Sequence, residues 1–377
     1  MYKITDTSFY FNKPHQKKLL FFDEAQVDFF VKKFKINKND YYSLDTRKDK
    51  INLYILFKTI IRLFLAFRKP TKLFFNYLLD YIESVNPSVV ITLIDNNILF
   101  YFLKKYFPHI KFLSIQLGHR TEHRDIFAVI KKKKLGKKNL KSDFYFTLNK
   151  AYGKKMSNYI DCKTIDIGSL KNNFVKIGKI KKKKTLLFIS QFRNELPANN
   201  NYFNTERKLL PEIYLYCEKK KIKLYILGTS KNNTNLEKDF FRKIIGSNNW
   251  KFLTRRLDLG NYNLIDKFEN IIFIDSTLGY EAIGRKKKVA VFSFRRMTKN
   301  SPYEKFAWPS KVKKRDFFYS NSYSRSEVKR VLDNVTKCSE KKWKKKFLYK
   351  INKFCPYKKN NLIFRKKIIS IIKEKTW

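Results

Sequence analysis

The strongest constraint in this sequence is a strand–helix–strand signature at residues 271–294. Ile271-Ile272-Phe273-Ile274 are four consecutive apolar residues, the mark of a strand buried on both faces. Asp275, Ser276 and Thr277 follow, all residue types that cap helix N-termini by accepting a backbone N–H bond. A short helical run reaches Gly284, a natural helix stop, and the chain re-enters an apolar run at Val289–Phe294. The start of such a helix leaves backbone N–H groups open and attracts anions, phosphate above all. Thr277 and Glu281, four residues apart, share a face. A phosphate at the first and a sugar hydroxyl at the second would suit a nucleotide-sugar. An ordinary capped helix in an α/β sheet satisfies the same pattern.

The same alternation runs through the chain. Apolar strand candidates at 18–22, 41–44, 88–94, 110–115, 144–148 and 164–167 are separated by helical stretches at 25–34, 52–67, 73–85, 98–106 and 151–160. A lysine-rich segment, 131–142, reads as a solvated loop, and 171–184, ending in four lysines, reads as a linker. The pattern then restarts: strands at 185–189, 222–227 and 250–253, helices at 205–219, 236–245 and 262–268, and the opening unit. Three helices, 324–336, 340–354 and 362–374, finish it. Alternation of this kind predicts parallel sheets covered on both faces. The expected fold is α/β, with two Rossmann-like doubly wound domains facing a cleft and C-terminal helices. Residues 1–178 form the first domain and 179–377 the second. In such sheets ligands collect at the C-terminal strand ends. Asp95, Gln116 to Arg124, Gly168-Ser169 and Ser190-Gln191-Phe192-Arg193 all stand there.

Composition limits the partners. At 377 residues and 43% hydrophobic, the chain can build a packed core. Its net charge of +52 would ordinarily point to nucleic acid or an anionic membrane. Yet Lys, Asn, Ile, Phe and Tyr are abundant together, with only 10 Gly and 9 Pro, as A/T-rich codon usage would produce. No zinc-ligand spacing, RRM signature or basic zipper is present, so no nucleic acid is expected as partner. Cys162, Cys217, Cys338 and Cys355 form no CxxC and fit reduced thiols in a cytosolic protein. The N-terminal residues lack the apolar core of a signal peptide. Asn52–Phe67 is too short for a membrane span and is broken by Lys58 and Arg62. It reads as an amphipathic helix, in the core or at a membrane interface. The expected location is cytoplasmic, with peripheral contact at the inner face of the membrane.

Two doubly wound halves around a cleft suit a transferase with donor on one half and acceptor on the other. Six segments bear on this: Ile94-Asp95-Asn96, Ser114-Ile115-Gln116-Leu117-Gly118-His119-Arg120, Ile167-Gly168-Ser169, Ile189-Ser190-Gln191-Phe192-Arg193, Asp275-Ser276-Thr277-Leu278-Gly279-Tyr280-Glu281-Ala282 and Phe306-Ala307-Trp308-Pro309. In order and placement they resemble the bacterial surface carbohydrate (lipopolysaccharide or capsule) biosynthesis family of GT-B glycosyltransferase type. The resemblance implies a nucleotide-sugar as donor substrate, with no separate cofactor, and a glycan or lipid-linked acceptor. It implies that Ser276, Thr277 and Glu281 meet the phosphates and ribose. Gly279, Gln116, Gly118, Ser190, Gln191, Gly168 and Ser169 are further candidate substrate contacts. Relatives that make teichoic and capsular polymers carry a His-Gly dipeptide near the acceptor, whereas here the order is Gly118-His119.

The chemistry leaves alternatives at each position. His119 and Asp95 compete as general base; Asp95 could instead cap the helix that begins nearby. Arg193 either neutralises a leaving diphosphate or lies solvated, and Arg120 and Arg124 share that ambiguity. Gly118 suits a tight turn. Trp308 either stacks on a ligand or packs in its loop. His119 and His123 share a helical face and could pair on a metal with Glu122 or Asp125. No DxD pair stands at a strand end, so the expected transfer is metal-independent. On the same fold, a nucleotide-sugar epimerase or polyol-phosphate transferase is the enzymatic alternative. A non-catalytic basic protein binding nucleic acid or membrane is the alternative from another class.

Overall fold

The computed structural model describes residues 7–373, except 66, 68–71, 123–124, 230–233, 247–248, 257–258, 296–304 and 349–351. Two sheets carry the chain. The first has six parallel strands in the order β3(Tyr41–Leu44), β2(Leu19–Phe22), β5(Val89–Thr92), β6(Lys111–Ile115), β7(Lys141–Thr147), β8(Asp161–Asp166). A two-stranded parallel annex, β1(Ser8–Tyr10) with β4(Lys50–Asn52), stands apart from it. Helices α1(Val27–Phe34), α2(Leu53–Phe64), α3(Leu73–Val85), α4(Ile98–Leu103), α5(Ile126–Lys132) and α6(Lys150–Ser157) connect the strands.

The second sheet has seven strands: β11(Lys251–Leu253), β10(Lys223–Leu227), β9(Lys182–Ile189), β12(Phe268–Phe273), β13(Lys288–Phe292), β15(Tyr319–Ser320) and an antiparallel edge, β14(Arg315–Asp316). Its helices are α7(Asn204–Lys219), α8(Thr234–Ile245), α9(Gly260–Asp266), α10(Thr277–Gly284), α11(Arg325–Lys337) and α12(Glu340–Trp343). The central strands read as unbroken apolar runs because both faces are covered. Leu186–Phe188 and Ile271–Phe273 are wholly buried.

Each sheet winds outward in both directions from a central pair, β2/β5 in the first and β9/β12 in the second. A crevice opens between the carboxyl ends of such a pair because the connections leave in opposite directions. Asp95 follows β5; Ser190 to Arg193 follow β9; Asp275 to Thr277 follow β12.

Several expectations are corrected by packing. Residues 171–184 lead from β8 of the first sheet into β9 of the second, and their start is packed down. Asn172 and Asn173 are buried, and Arg285 reaches the Val175 and Lys176 carbonyls while pairing with Asp266. The lysine-rich stretch is exposed over most of its length, as expected, but α5 enters it and β7 starts at Lys141. The 340–354 helix breaks after Trp343 into a π-type segment, Lys344–Leu348. The last helix, α13(Leu362–Lys373), falls by chain order in the second half, yet Phe364, Ile368 and Ile371 pack with Leu19, Phe21 and Val89 beneath the first sheet. Its apolar stripe fills the face that α1 leaves open, where Phe364 meets the Phe30, Phe34 and Phe146 rings edge-on. All four cysteines are free. Among the described residues no helix is long and apolar enough to cross a membrane.

Candidate functional site

Helix α10 stands at the centre of the site because β12 ends abruptly at Asp275 and Ser276, whose polar side chains cannot continue a buried strand. Ser276 takes extended dihedrals as N-cap, though its hydroxyl makes no capping bond. Gln191, oriented to satisfy its neighbours, accepts the Ser276 N–H at 3.2 Å and donates to Asp275. The N–H groups of Thr277 and Leu278 have no hydrogen-bond partner among the described residues. They form an open N-terminal turn with the positive end of the helix behind it. Gly279 is a packing requirement and lines neither of the two cavities that meet at Thr277. A β-carbon there would fall 2.1 Å from the Phe273 ring, so only glycine lets α10 lie against β12.

Two cavities meet at Thr277. One, of about 440 Å³, is lined by Thr277, Leu278, Glu281 and Tyr262, by the cations Arg255, Arg256 and Lys171, and by Gln26, Leu117, Thr229 and Asn261. Asn261 fixes this basic cavity's wall by accepting from the Arg256 N–H at 2.9 Å and donating to its carbonyl at 3.0 Å. Glu281 Oε1 accepts from Ser169, reaching over from the first half, and from Tyr262 at 2.9 Å. Burial raises the Glu281 pKa, against the pull of these two bonds and of Arg255 and Lys171. Thr277 and Glu281 thus line one wall, as their four-residue spacing requires.

The second cavity, of about 470 Å³, lies between the halves. His119, Thr121 and Asp125 line it from the first; Gln191, Arg193, Tyr202, Asp275, Thr277, Tyr280, Ser293 and Lys305 line it from the second. The His119 N–H donates to Thr277 Oγ1 at 3.0 Å, and its imidazole stacks on Tyr280 with centroids 4.3 Å apart. Tyr152 closes the ring edge-on, and Nε2 is buried with no hydrogen-bond partner among the described residues. Burial, and after it the Arg120 guanidinium, push the His119 pKa down to about 3. The imidazole is therefore neutral. Asp275 is held by Arg295 at 3.0 Å, and Arg295 also pairs with Glu206 at 2.6 Å above the Tyr202 ring. Burial opposes charge on Arg295, but Asp275 and Glu206 outweigh it and raise its pKa.

The remaining sequence candidates divide by burial. Asp95 is wholly buried. It is gripped by Arg120 Nε at 3.1 Å, a second Arg120 contact, and Tyr145 at 2.5 Å. That geometry corrects its reading as a base: its oxygens face a cation and a phenol, not a cavity. Arg120 is correspondingly an internal partner and not a leaving-group clamp. Gln116 is also buried, bridging the Leu148 N–H and the Gly118 carbonyl at 3.0 Å each. It braces the loop that carries His119 and lines neither cavity. Gly118 has room for a side chain, its nearest neighbour being Thr277 Oγ1 at 3.8 Å. Ser190 accepts the Phe192 N–H at 3.0 Å inside a local turn. Gly168, at φ +69°, abuts the Pro356 carbonyl. Arg193 lines the interdomain cavity, half-exposed, near Glu195 and over the Tyr202 ring. Trp308 packs between Phe127 and Tyr152. His123 and Arg124 lie outside the described residues, so the His119–His123 pair is not formed from described atoms. No cluster of metal-ligating side chains occurs among the described residues.

The sequence pattern does not single out Arg255, Arg256, Lys171, Tyr262, Tyr280 or Lys305, and it offers Asp125 only as a metal ligand. The arginines carry a usable signal, since they follow the end of β11 closely. A three-residue strand simply advertises its end less well than Ile271–Ile274 does.

A family model described as "putative O-antigen biosynthesis protein" matches residues 113–375, more than half of the chain. The UDP-GlcNAc 2-epimerase of Neisseria meningitidis, bound to UDP-GlcNAc, superposes with TM-score 0.51 at 15% identity. The match covers 95% of this chain and 100% of that one. A glycosyltransferase from Rickettsia africae ESF-5 gives TM-score 0.53 at 12% identity, over 96% and 98% of the two chains. A variant of the wall teichoic acid polymerase TagF gives 0.54 at 10%, over 96% and 90%. No curated protein sequence matches. At these identities the structural likeness shows the fold: two α/β halves of the GT-B type shared by glycosyltransferases and epimerases.

Proposed function

The chain belongs to this O-antigen biosynthesis family, and from that premise we propose that it transfers a sugar from a nucleotide-sugar donor to a glycan or lipid-linked acceptor. One observation carries the reading: Thr277, at the open N-terminus of α10, borders both a cation-lined cavity and the interdomain cavity that holds His119. In this reading the nucleoside diphosphate occupies the basic cavity. Its phosphates take the free Thr277 and Leu278 N–H groups and the charge of Arg255 and Arg256, and its ribose hydroxyls meet Glu281. The sugar projects past Thr277 into the interdomain cavity, where the acceptor hydroxyl attacks the anomeric carbon.

The proton of that hydroxyl passes to the His119 imidazole, which lines the interdomain cavity. On its own the imidazole is a weak base, its pKa held down at about 3 by burial and Arg120. Donor phosphates arriving at Thr277 place negative charge beside it and move its pKa back toward neutrality. Proton acceptance would then follow donor binding. Asp95 acts at one remove, holding Arg120 and through it the loop of His119. The leaving diphosphate is neutralised by the helix terminus, the two arginines and Lys171, so transfer is expected to proceed without a divalent metal. Activity retained in EDTA supports this, and loss restored by manganese overturns it. A cytoplasmic enzyme with peripheral contact at an anionic membrane fits a lipid-linked acceptor.

Calorimetry against UDP-, GDP- and CMP-sugars tests the donor site. One should bind, and Glu281→Ala and Thr277→Ala should weaken it by about tenfold or more, as loss of a charge-assisted hydrogen bond does. If no nucleotide-sugar binds the intact protein, the transferase reading fails. An epimerase would instead interconvert a nucleotide-sugar with its epimer without any acceptor, which NMR of the incubated donor detects.

A further inference from the structure

Helix α2 is built inside out. Phe57, Ile60, Ile61 and Phe64, continuing into Leu65, recur at i, i+3, i+4, i+7 and i+8, the spacing of one helical face. That face points away from the protein: Phe57 is 53% exposed, Ile61 56% and Phe64 88%. The polar residues of the same helix turn inward. Lys58 Nζ donates to Ser84 Oγ at 2.8 Å, Thr59 is buried, and Arg62 bonds Asp80 at 2.7 Å and also Glu83. Expected either as a core helix or as an interfacial one, α2 has the polarity of neither a core helix nor a solvated one.

The stripe does not end with the helix. Phe67 beyond it is 76% exposed, and Leu73 at the start of α3 is 47% exposed. On the β1/β4 annex, Phe9 and Phe11 are 54% and 67% exposed, and Phe11 meets Tyr54 of α2 edge-on. One contiguous apolar rim therefore joins the annex to α2. Its flanks are basic: exposed Lys13 follows Phe11, exposed Lys72 precedes Leu73, and exposed Lys48 lies over the Phe74 ring of α3.

We propose that this rim docks on a fluid bilayer bearing anionic headgroups. An amphipathic helix with exposed aromatic and aliphatic groups lies in the plane of the interface and sinks about 5–10 Å toward the acyl chains, while flanking lysines meet the headgroups. A second copy of the chain is the competing occupant of an apolar stripe. Two chains of charge +52 repel one another, whereas an anionic surface complements both the stripe and its flanks. At twelve residues α2 lies on the bilayer and does not cross it. The inference deepens the proposed function by assigning the surface that would meet a lipid-linked acceptor. It is separable from that function because donor binding is measured without lipid.

The test is co-sedimentation of the full chain with extruded vesicles of phosphatidylcholine, alone or with about one-third phosphatidylglycerol. The expected result is partition onto the anionic vesicles that weakens with salt, as screening requires. It should fall about tenfold or more in the Phe57→Ser/Ile61→Ser/Phe64→Ser variant. Lys13→Glu/Lys72→Glu should weaken binding to the anionic vesicles more than to the neutral ones, the chain as a whole remaining strongly cationic. All three side chains of the triple variant are exposed, so an unchanged melting temperature certifies its fold. Three results overturn the proposal: no vesicle binding, equal binding by the triple variant, or a wild-type dimer in ultracentrifugation that the triple variant abolishes. Nucleotide-sugar calorimetry on the same variants should be unchanged, so failure here leaves the donor site standing.

Discussion

Replacing Asp95 separates a proton acceptor from a group that holds the site in shape. Its side chain is wholly buried and that of Arg120 is 15% exposed. In Asp95→Ala the guanidinium keeps, among the described residues, Asp125 as its carboxylate at 3.6 Å, and the Tyr145 hydroxyl loses its acceptor. Breaking a buried pair by removing one partner costs about 3–5 kcal/mol, since the other charge stays buried without compensation. For a folding unit of 150–250 residues, at roughly 2–4 °C per kcal/mol, the melting temperature should fall by about 6–20 °C. The Gly118–Arg120 loop should loosen with it, because the Arg120 N–H and carbonyl both bond Tyr152. Calorimetric melting of wild type and Asp95→Ala reads the shift. Asp95→Leu/Arg120→Met, which removes both charges, should recover much of it, as apolar replacement of buried pairs often does. If Asp95→Ala melts within about 1 °C of wild type while transfer is abolished, Asp95 is the base and the reasoning is wrong.

Four further outcomes follow from contacts elsewhere in the fold. The His119 pKa is about 3 when folded and about 6.5 when unfolded, so between those values the unfolded chain binds the extra proton and stability falls as the pH drops. His119→Phe should flatten that part of the profile, read from urea melts at pH 7 and 5.5, and a slope unchanged from wild type would count against it. Gly279→Ala should cost about 1–3 kcal/mol by overpacking against Phe273, seen as a lower urea midpoint; a neutral effect would mean that α10 stands off β12. Ser324 caps α11 by accepting the Glu327 N–H at 3.1 Å, so Ser324→Ala should cost about 1 kcal/mol in the same assay. Arg330, working against partial burial, holds Glu327 down at about 2. That contribution is present above about 4.5 and should fade as the pH falls toward 2, and Glu327→Gln should remove it from an acid titration of the melting temperature.

The local code was strong wherever an element must bury both faces. Ile271–Ile274 and the 185–189 strand are apolar because helices cover the sheet on either side, and apolar runs of that length leave few other conformations. Their ends were equally plain, since Asp275 and Ser190 cannot remain in such a layer. Helix α5 escaped because Lys131 to Lys134 masked the apolar Ile126, Phe127 and Ile130 that precede them. The 340–354 stretch has helical spacing throughout, yet the α-helix stops at Trp343 and passes into a π-type segment.

The sequence by itself determined two α/β halves and the polar strand ends from which a site is assembled, because periodicity and capping act over a few residues. Only the tertiary structure decided which polar residues face a cavity. Asp95 and His119 are both polar residues beyond strand ends; burial against Arg120 and Tyr145 closes one, while contact with Thr277 across the cleft leaves the other at the cavity wall. The same holds for α2 and α13. Each is an amphipathic repeat whose sequence records that one face is apolar, and only long-range packing assigns one apolar face to the core and the other to the outside.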